Sequence, residues 1–437
     1  MRQGGVRAAE CEEALGSMAF HEDGVEESRL VSIPAHLPFL DQLAARWMQA
    51  AGYDREAMGE GLIVLPGRRA ARALTEAFLR RMDGGAMLLP RILPIGALDE
   101  AELGLSLVSP GGYVPDGQGL DPLDLPPAVG GMTRQAALTR LVLQAEDAFG
   151  TRPTLDQAWP LAGALATLMD EAEWAGVSLS ERLPGAVQDD FAQHWQIILR
   201  FLGIITEQWP VWLASQGLMN PVARQVALLR AQAALWRGMA ERGEETRLWA
   251  AGFTHAMAPT AEALAAVLAC PGGRVVLPGL DMTMADAVFD ALPDSHPQAG
   301  LARLLAALGH GRGQVRVWGR AVEPRQSTAP TGPLQAGVAP AGETDEAEAT
   351  RRAARSALLS RVMLPATALD DWVLREGEGT APGSSPTQAG EALLPGVVRV
   401  SAQDEQEEAL AISMIMRDAI VQPGRTVALI TPDRVLA

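Results

Sequence analysis

Apolar residues along the chain fall into two kinds of run. Arg29-Leu30-Val31-Ser32-Ile33 is a short strand-like run, broken by Pro34 and Pro38. From Phe39 the spacing changes. Leu40, Leu43, Ala44, Trp47, Met48 and Ala51 recur at three and four residues, which predicts one face of a helix. Gly61-Leu62-Ile63-Val64-Leu65-Pro66 is continuously apolar and ends in proline, as a strand buried on both faces of a parallel sheet would. A second helix is predicted from about Gly67 to Met82. Strand, helix, strand and helix at this spacing are the βαβ pattern.

Pro and Gly dominate 109–131, which predicts a loop. The pattern over 132–245 is almost purely helical and rich in tryptophan (Trp159, Trp174, Trp195, Trp209, Trp212, Trp236). A tryptophan stripe at helical spacing predicts core; the competing role is a base-stacking platform. The block is best taken as all-helical and set between two parts of a sheet domain. The strand pattern returns in Thr246–Ala251 and is followed by Gly252. A helix is predicted from about Pro259, a plausible first-turn residue, to Ala269. Another buried strand, Arg274–Leu277, ends in Pro278-Gly279.

Residues 321–350 and 375–396 are rich in Pro, Gly, Ala, Thr and Ser and are predicted to be flexible linkers. Val397–Val400 is expected to be a strand. Asp404 and Glu407 then have capping-box spacing, and Ala409, Ile412, Met416 and Ala419 form an apolar stripe. Thr426–Thr431 is expected to be the next strand. Strand, helix and strand cannot bury both faces of a sheet, so the chain is expected to be cut at Ala437.

Composition narrows the function. At 437 residues the chain is long enough for roughly three domains of about 150 residues. Its 48% hydrophobic and 20% charged residues are those of a soluble globular chain. A formal net charge of −17 argues against a binder coated in positive charge. All 36 basic residues are arginine. Without lysine there is no G-x-x-x-x-G-K-[ST] phosphate loop, no Schiff-base lysine and no lysine-dependent nuclease centre. Cys11 and Cys270 are too far apart in sequence and too few for a disulfide framework or a four-thiolate cluster, and they fit a reducing, cytoplasmic setting. The first 28 residues are acidic, lack a signal-peptide core and are expected to be a disordered extension.

Ligands of open α/β sheets sit beyond the carboxyl ends of strands. After the first strand comes Pro34-Ala35-His36-Leu37-Pro38-Phe39, with no glycine to wrap a phosphate. His36 is weighed there as a phosphate ligand against an ordinary loop histidine. After the returning strand Ala251-Gly252-Phe253 offers no acid for magnesium. Both halves of an ATPase site are missing. Pro66-Gly67-Arg68-Arg69-Ala70-Ala71-Arg72 opens a helix on which, at about 100° per residue, Arg68, Arg69, Arg72 and Arg80 fall within about 120°. Ala70, Leu74 and Phe78 lie on the other side. Arginines so placed suit phosphate oxygens; equally, they could be a solvated face with Glu76 partly neutralising it. The cysteines and six histidines show no metal-ligand spacing, no G-x-S-x-G occurs, and the acid pairs Asp189-Asp190 and Asp370-Asp371 are adjacent, so each points to different sides.

Several motifs, each weak alone, occur in a collinear order. Ile63-Val64-Leu65-Pro66-Gly67-Arg68-Arg69-Ala70-Ala71-Arg72-Ala73-Leu74 precedes Leu88-Leu89-Pro90-Arg91-Ile92. Next come Trp249-Ala250-Ala251-Gly252-Phe253-Thr254 with Pro259-Thr260-Ala261, and Val275-Val276-Leu277-Pro278-Gly279-Leu280-Asp281. His296-Pro297-Gln298 with Gly300, Leu301, Arg303, Leu304 and Leu305, then Asp404–Ala409 with Ala428–Arg434, complete the set. Over about 30–437, linkers apart, this resembles the N-terminal part of the AddB family, the double-strand break repair subunits of the bacterial AddAB helicase–nuclease, in its alphaproteobacterial form. The resemblance implies a superfamily-1 helicase-like α/β fold, with a RecA-type parallel-sheet domain interrupted by an all-helical domain and the start of a second α/β domain.

On that reading 1–28 is the acidic extension, and 29–127 and 246–320 are the two halves of the RecA-like domain. The helical domain is 128–245, the linker region with a short helical stretch is 321–396, and the truncated second domain is 397–437. The resemblance further implies a non-motor, DNA-binding scaffold, with an AddA-type subunit supplying the motor and the single-stranded tail of a processed DNA end as the nucleic-acid partner. The DNA-binding residues expected are Arg68, Arg69 and Arg72. No catalytic, metal or cofactor-binding residue is expected here, because the family's nuclease domain, with its iron–sulfur cluster and magnesium, would follow Ala437. The alternatives are a protein-only scaffold, a non-functional truncated fragment, and an active nucleotide-driven enzyme, which the missing lysine opposes.

Overall fold

The computed structural model describes residues 28–82, 86–95, 125–145, 153–183, 192–319, 344–368, 398–423 and 425–431. The acidic N-terminal extension, the 321–343 and 369–396 parts of the linker region and most of the 109–131 loop lie outside these residues.

Strand β1 (Leu30–Ile33) leads through helices α1 (Phe39–Ala50) and α2 (Arg55–Gly59) to β2 (Leu62–Leu65). Helix α3 (Arg68–Arg80) and strand β3 (Arg91–Pro94) follow. The next described elements are helices: α4 (Gly131–Gln144), α5 (Leu155–Ala175), α6 (Leu179–Arg182), α7 (Ala192–Gly203), a π-helical turn (Ile204–Gln208), α8 (Trp209–Gln216) and α9 (Pro221–Glu241). The chain returns to the sheet at β4 (Leu248–Ala251), then passes through α10 (Ala258–Ala269), β5 (Gly273–Pro278), α11 (Asp286–Asp290), α12 (Ala299–Ala307) and β6 (Arg316–Val317). Helices α13 (Thr344–Val362) and α14 (Glu405–Val421) come last.

The six strands form one α/β sheet in the order β3-β2-β4-β5-β1-β6, and every pairing is parallel. Because strand side chains alternate between faces, each apolar run splits in two. Val31, Ile33, Ile63, Leu65, Trp249, Ala251 and Val276 pack with Leu43, Trp47, Leu74 and Phe78 of α1 and α3. Leu30, Val64, Leu248, Ala250, Val275 and Leu277 pack on the opposite face with Leu229 and Trp236 of α9, Leu264 and Val267 of α10, and Leu301 and Leu304 of α12. Burial on both faces is why these strands read as unbroken apolar runs.

The helices between β3 and β4 have their own core, built on Leu138, Leu165, Ile204, Trp209 and Leu213. Trp209 and Trp236 are buried, and Trp212 and Trp174 are packed against cores, as predicted for most of the stripe. Trp159 is the exception, at 43% exposure, and the side chain of Trp195 lies outside the described residues. Arg134 on α4 forms a two-pronged ion pair with Asp170 on α5, with N–O distances of 2.9 and 2.8 Å, and a further bond to the Ala166 carbonyl.

The last stretch differs from expectation. Residues 398–400 and 425–431 are described without strand pairing. A short strand has no stability without a neighbour to hydrogen-bond, and none is described beside either segment. The helix between them is present and capped as its spacing predicts: Asp404 Oδ1 accepts from the Glu407 amide at 2.8 Å. Glu407 in turn accepts from the Gln403 amide at 2.7 Å, one residue earlier than in the standard box. Residues 344–350, read from composition as linker, lie in α13. Among the described residues no helix is long and apolar enough to cross a membrane.

Candidate nucleic-acid interface at the sheet edge

Parallel pairing brings the carboxyl ends of the strands to one edge, where four loops meet. Gly252, at φ +81°, turns the chain out of β4 and packs between Phe39, which opens α1, and Pro66, which follows β2. Gly279, at φ +62°, does the same after β5 and lies against Ala35 of the β1 loop. At both positions a left-handed backbone is required, so glycine is the residue that fits.

Five amides of the β1, β4 and β5 loops at this edge are already used. Leu37 N donates to Pro34 O (3.0 Å), Gly252 N to Val276 O (3.0 Å) and Gly279 N to Ile33 O (2.8 Å). Leu280 N donates to the buried Ser32 Oγ at 3.1 Å, and Asp281 N to Gln298 Oε1 at 3.1 Å. A phosphate cradle needs several amides converging on open space; these five are spent inside the protein. The Gln298 amide also donates to Gly279 O at 3.0 Å, so one side chain holds the β5 loop from both ends.

His296 explains how that side chain is positioned. Its Nδ1 accepts from Gln298 N at 3.1 Å, so Nε2 carries the proton and donates to Met363 O at 3.0 Å, just past the end of α13. The His-Pro-Gln motif is therefore a structural clip between the β5 loop and the chain after α13. The motif's role is not legible in the sequence, because the partners that define it lie 17 and 67 positions away.

His36 sits half-buried in the β1 loop. Burial, and then the nearby Arg352 cation, push its pKa below the usual histidine value. Its neutral form is thereby favoured, which makes it a poor phosphate ligand.

Arg68, Arg69 and Arg72 behave differently. All three are exposed, and none makes a hydrogen bond or ion pair among the described residues. Leu74, Ala77 and Phe78 are the buried residues of the same helix, on the face away from the arginines. Arg80, which shares the sequence pattern, is not part of the group: it bonds Asp41 of α1 at 2.8 and 3.2 Å. Glu76 forms no ion pair with Arg72 among the described residues, so it does not neutralise that arginine by direct contact; exposure without a partner fits a solvated face as well as a phosphate contact. Helix α3 has Gly67 as its N-cap, with no side-chain cap and no acid in its first turn. The positive end of the helix dipole thus meets two guanidinium groups, an arrangement that an anion relieves.

Among the described residues no group of three or more His, Cys, Asp or Glu side chains could hold a metal ion. Cys270 is buried, with its thiol against the carbonyls of Trp236 and Ala266 at 3.3 and 3.4 Å. Burial pushes its pKa up, as for a core thiol. Compared with known proteins, the chain matches no family model and no curated sequence.

Proposed function

We propose that the chain is a non-motor, DNA-binding scaffold subunit of a helicase–nuclease that processes double-strand ends, in the manner of the AddB family. On this reading the parallel sheet is a RecA-like domain of superfamily-1 type, and the helices between β3 and β4 are a domain inserted into it. An AddA-type partner supplies the motor. The observation that carries the reading is the contrast along one sheet edge. The positions where a nucleotide would bind are closed on themselves, while Arg68, Arg69 and Arg72 stand exposed and unpaired at a helix start.

Guanidinium groups there would contact phosphates and position a single strand without reading its sequence. Replacing all three with alanine is expected to weaken single-stranded DNA binding and to lower the slope of log K against log salt by up to about two to three units. Thermal stability should stay nearly constant, because these side chains lie away from Leu74 and Phe78. Titrations at several salt concentrations decide between readings: unchanged affinity and slope would favour a scaffold that contacts only protein.

A further inference from the structure

Away from the sheet edge, the helical block carries an open cleft of about 710 Å³ between α5, the π-turn, α8 and α9. Its size is within the range of small-molecule sites. The π-turn makes part of the wall, and it exists for a local reason. Pro210 has no N–H, and its ring would clash with the carbonyl of Thr206 in a regular α-turn. The helix widens instead, with Trp209 N–H bonding back to Ile204 O. Such widened turns frequently line functional sites.

Two polar groups lining the cleft have unused hydrogen-bonding capacity. Asn220 is only 9% exposed. Its Oδ1 accepts from Trp209 Nε1 at 3.0 Å, but among the described residues its Nδ2, with two N–H donors, has only the Met169 thioether at 4.0 Å. A buried amide donor left with so weak an acceptor is costly. Glu173 is half-buried and its carboxyl makes no hydrogen bond among the described residues. Burial pushes its pKa up, with Arg230 opposing and Asp170 adding to the rise. Among the described residues one acid and one base, Glu173 and Arg230, line the cleft, so these side chains leave no net charge to select an ion. Ile205, Trp209 and Leu213 supply apolar lining.

We propose that this cleft binds a small neutral amide or lactam. The ligand's carbonyl accepts from the Asn220 amide, its N–H donates to the Glu173 carboxylate, and its body packs on Ile205, Trp209 and Leu213. The site is independent of the DNA-binding arginines, and its failure would leave that reading untouched.

The test uses the full chain and two probes, uridine and 3-methyluridine. They share their carbonyls, but methylation removes the N–H. Ligand-detected NMR titrations should show saturable uridine binding, with 3-methyluridine about tenfold weaker. Glu173→Ala should weaken uridine to the level of 3-methyluridine and abolish the difference. Asn220→Asp keeps the oxygen that accepts from Trp209 but loses both N–H donors, and should weaken the two probes alike by about tenfold. A melting curve for each variant shows that it is folded, and the half-exposed Glu173 position serves if Asn220→Asp is not. The proposal is overturned by any of three results: no saturable uridine binding below about 10 mM, equal affinity for both probes on the native chain, or discrimination that survives Glu173→Ala.

Discussion

At the scale of single residues, the same side-chain type does opposite work according to its partners. Arg80 is spent on Asp41 and ties the end of α3 to the start of α1. Arg68, Arg69 and Arg72, about two to three turns earlier, have no such partner among the described residues. Arg80→Ala is therefore expected to leave the salt slope of single-strand binding close to that of the native chain, in contrast to the triple variant. The control matters because all four arginines look equivalent on a helical wheel. Glu173 gives a prediction of pH dependence. Its folded pKa is raised above the unfolded one, so the folded state holds the proton more tightly. Its contribution to stability is favourable at low pH and is lost as pH rises from the ordinary glutamate value through the raised one. Glu173→Gln should raise the melting temperature at neutral pH and leave it nearly unchanged at pH values below the ordinary one. Melting curves across that range check the sign: a variant less stable than the native chain at neutral pH would contradict it.

At the scale of elements, the buried strands and the first helix follow their sequence patterns closely. Predicted apolar positions of α1, among them Leu43, Ala44, Trp47 and Met48, are buried, and α10 opens with Pro259 in its first turn. Strands β3 and β6 were not legible. Strand β3 follows Pro90, ends on Pro94 and pairs only with β2 among the described residues, and β6 is two residues long; both are edge strands that tolerate proline or brevity. The helical block depends on a contact no pattern shows. Arg134 is 7% exposed and Asp170 holds its guanidinium. Asp170→Asn would leave a buried cation without its counter-charge. Since Asp170 is itself partly exposed, the expected loss is about 1–3 kcal/mol, measured by denaturant unfolding. A loss below about 0.5 kcal/mol would mean that the pair is no better than a surface one.

At the scale of the whole molecule, connectivity sets which loops can share a site. The chain enters the sheet at β1, reaches β2 and β3 through helices on one face, and returns to β4 and β5 with helices on the other. The loops after β1, β2, β4 and β5 consequently converge, and there they pack against one another. Pure protein is expected to show no ATP hydrolysis and no saturable ATP binding. It lacks a lysine and an acid after β4, and the edge amides identified above already have partners. DNA-stimulated turnover by the isolated chain would end this expectation. The formal charge of −17 makes any DNA contact local, because most of the surface repels phosphate.

What the sequence determined by itself was the local and compositional part. Continuous apolar runs ending in proline implied a buried parallel sheet, because only strands covered on both faces lack polar alternation. The absence of lysine excluded a phosphate loop without any structure. Spacing placed Arg68, Arg69 and Arg72 on one side of a helix. Tertiary structure decided the rest. Whether an arginine is free or paired depends on residues some forty positions away, as Arg80 and Asp41 show. The clip through His296 and Gln298, the filling of the sheet edge, and the cleft holding Asn220 and Glu173 all join elements distant in the chain. Periodicity reports which face of an element is buried; it carries no information about which distant side chain meets that face.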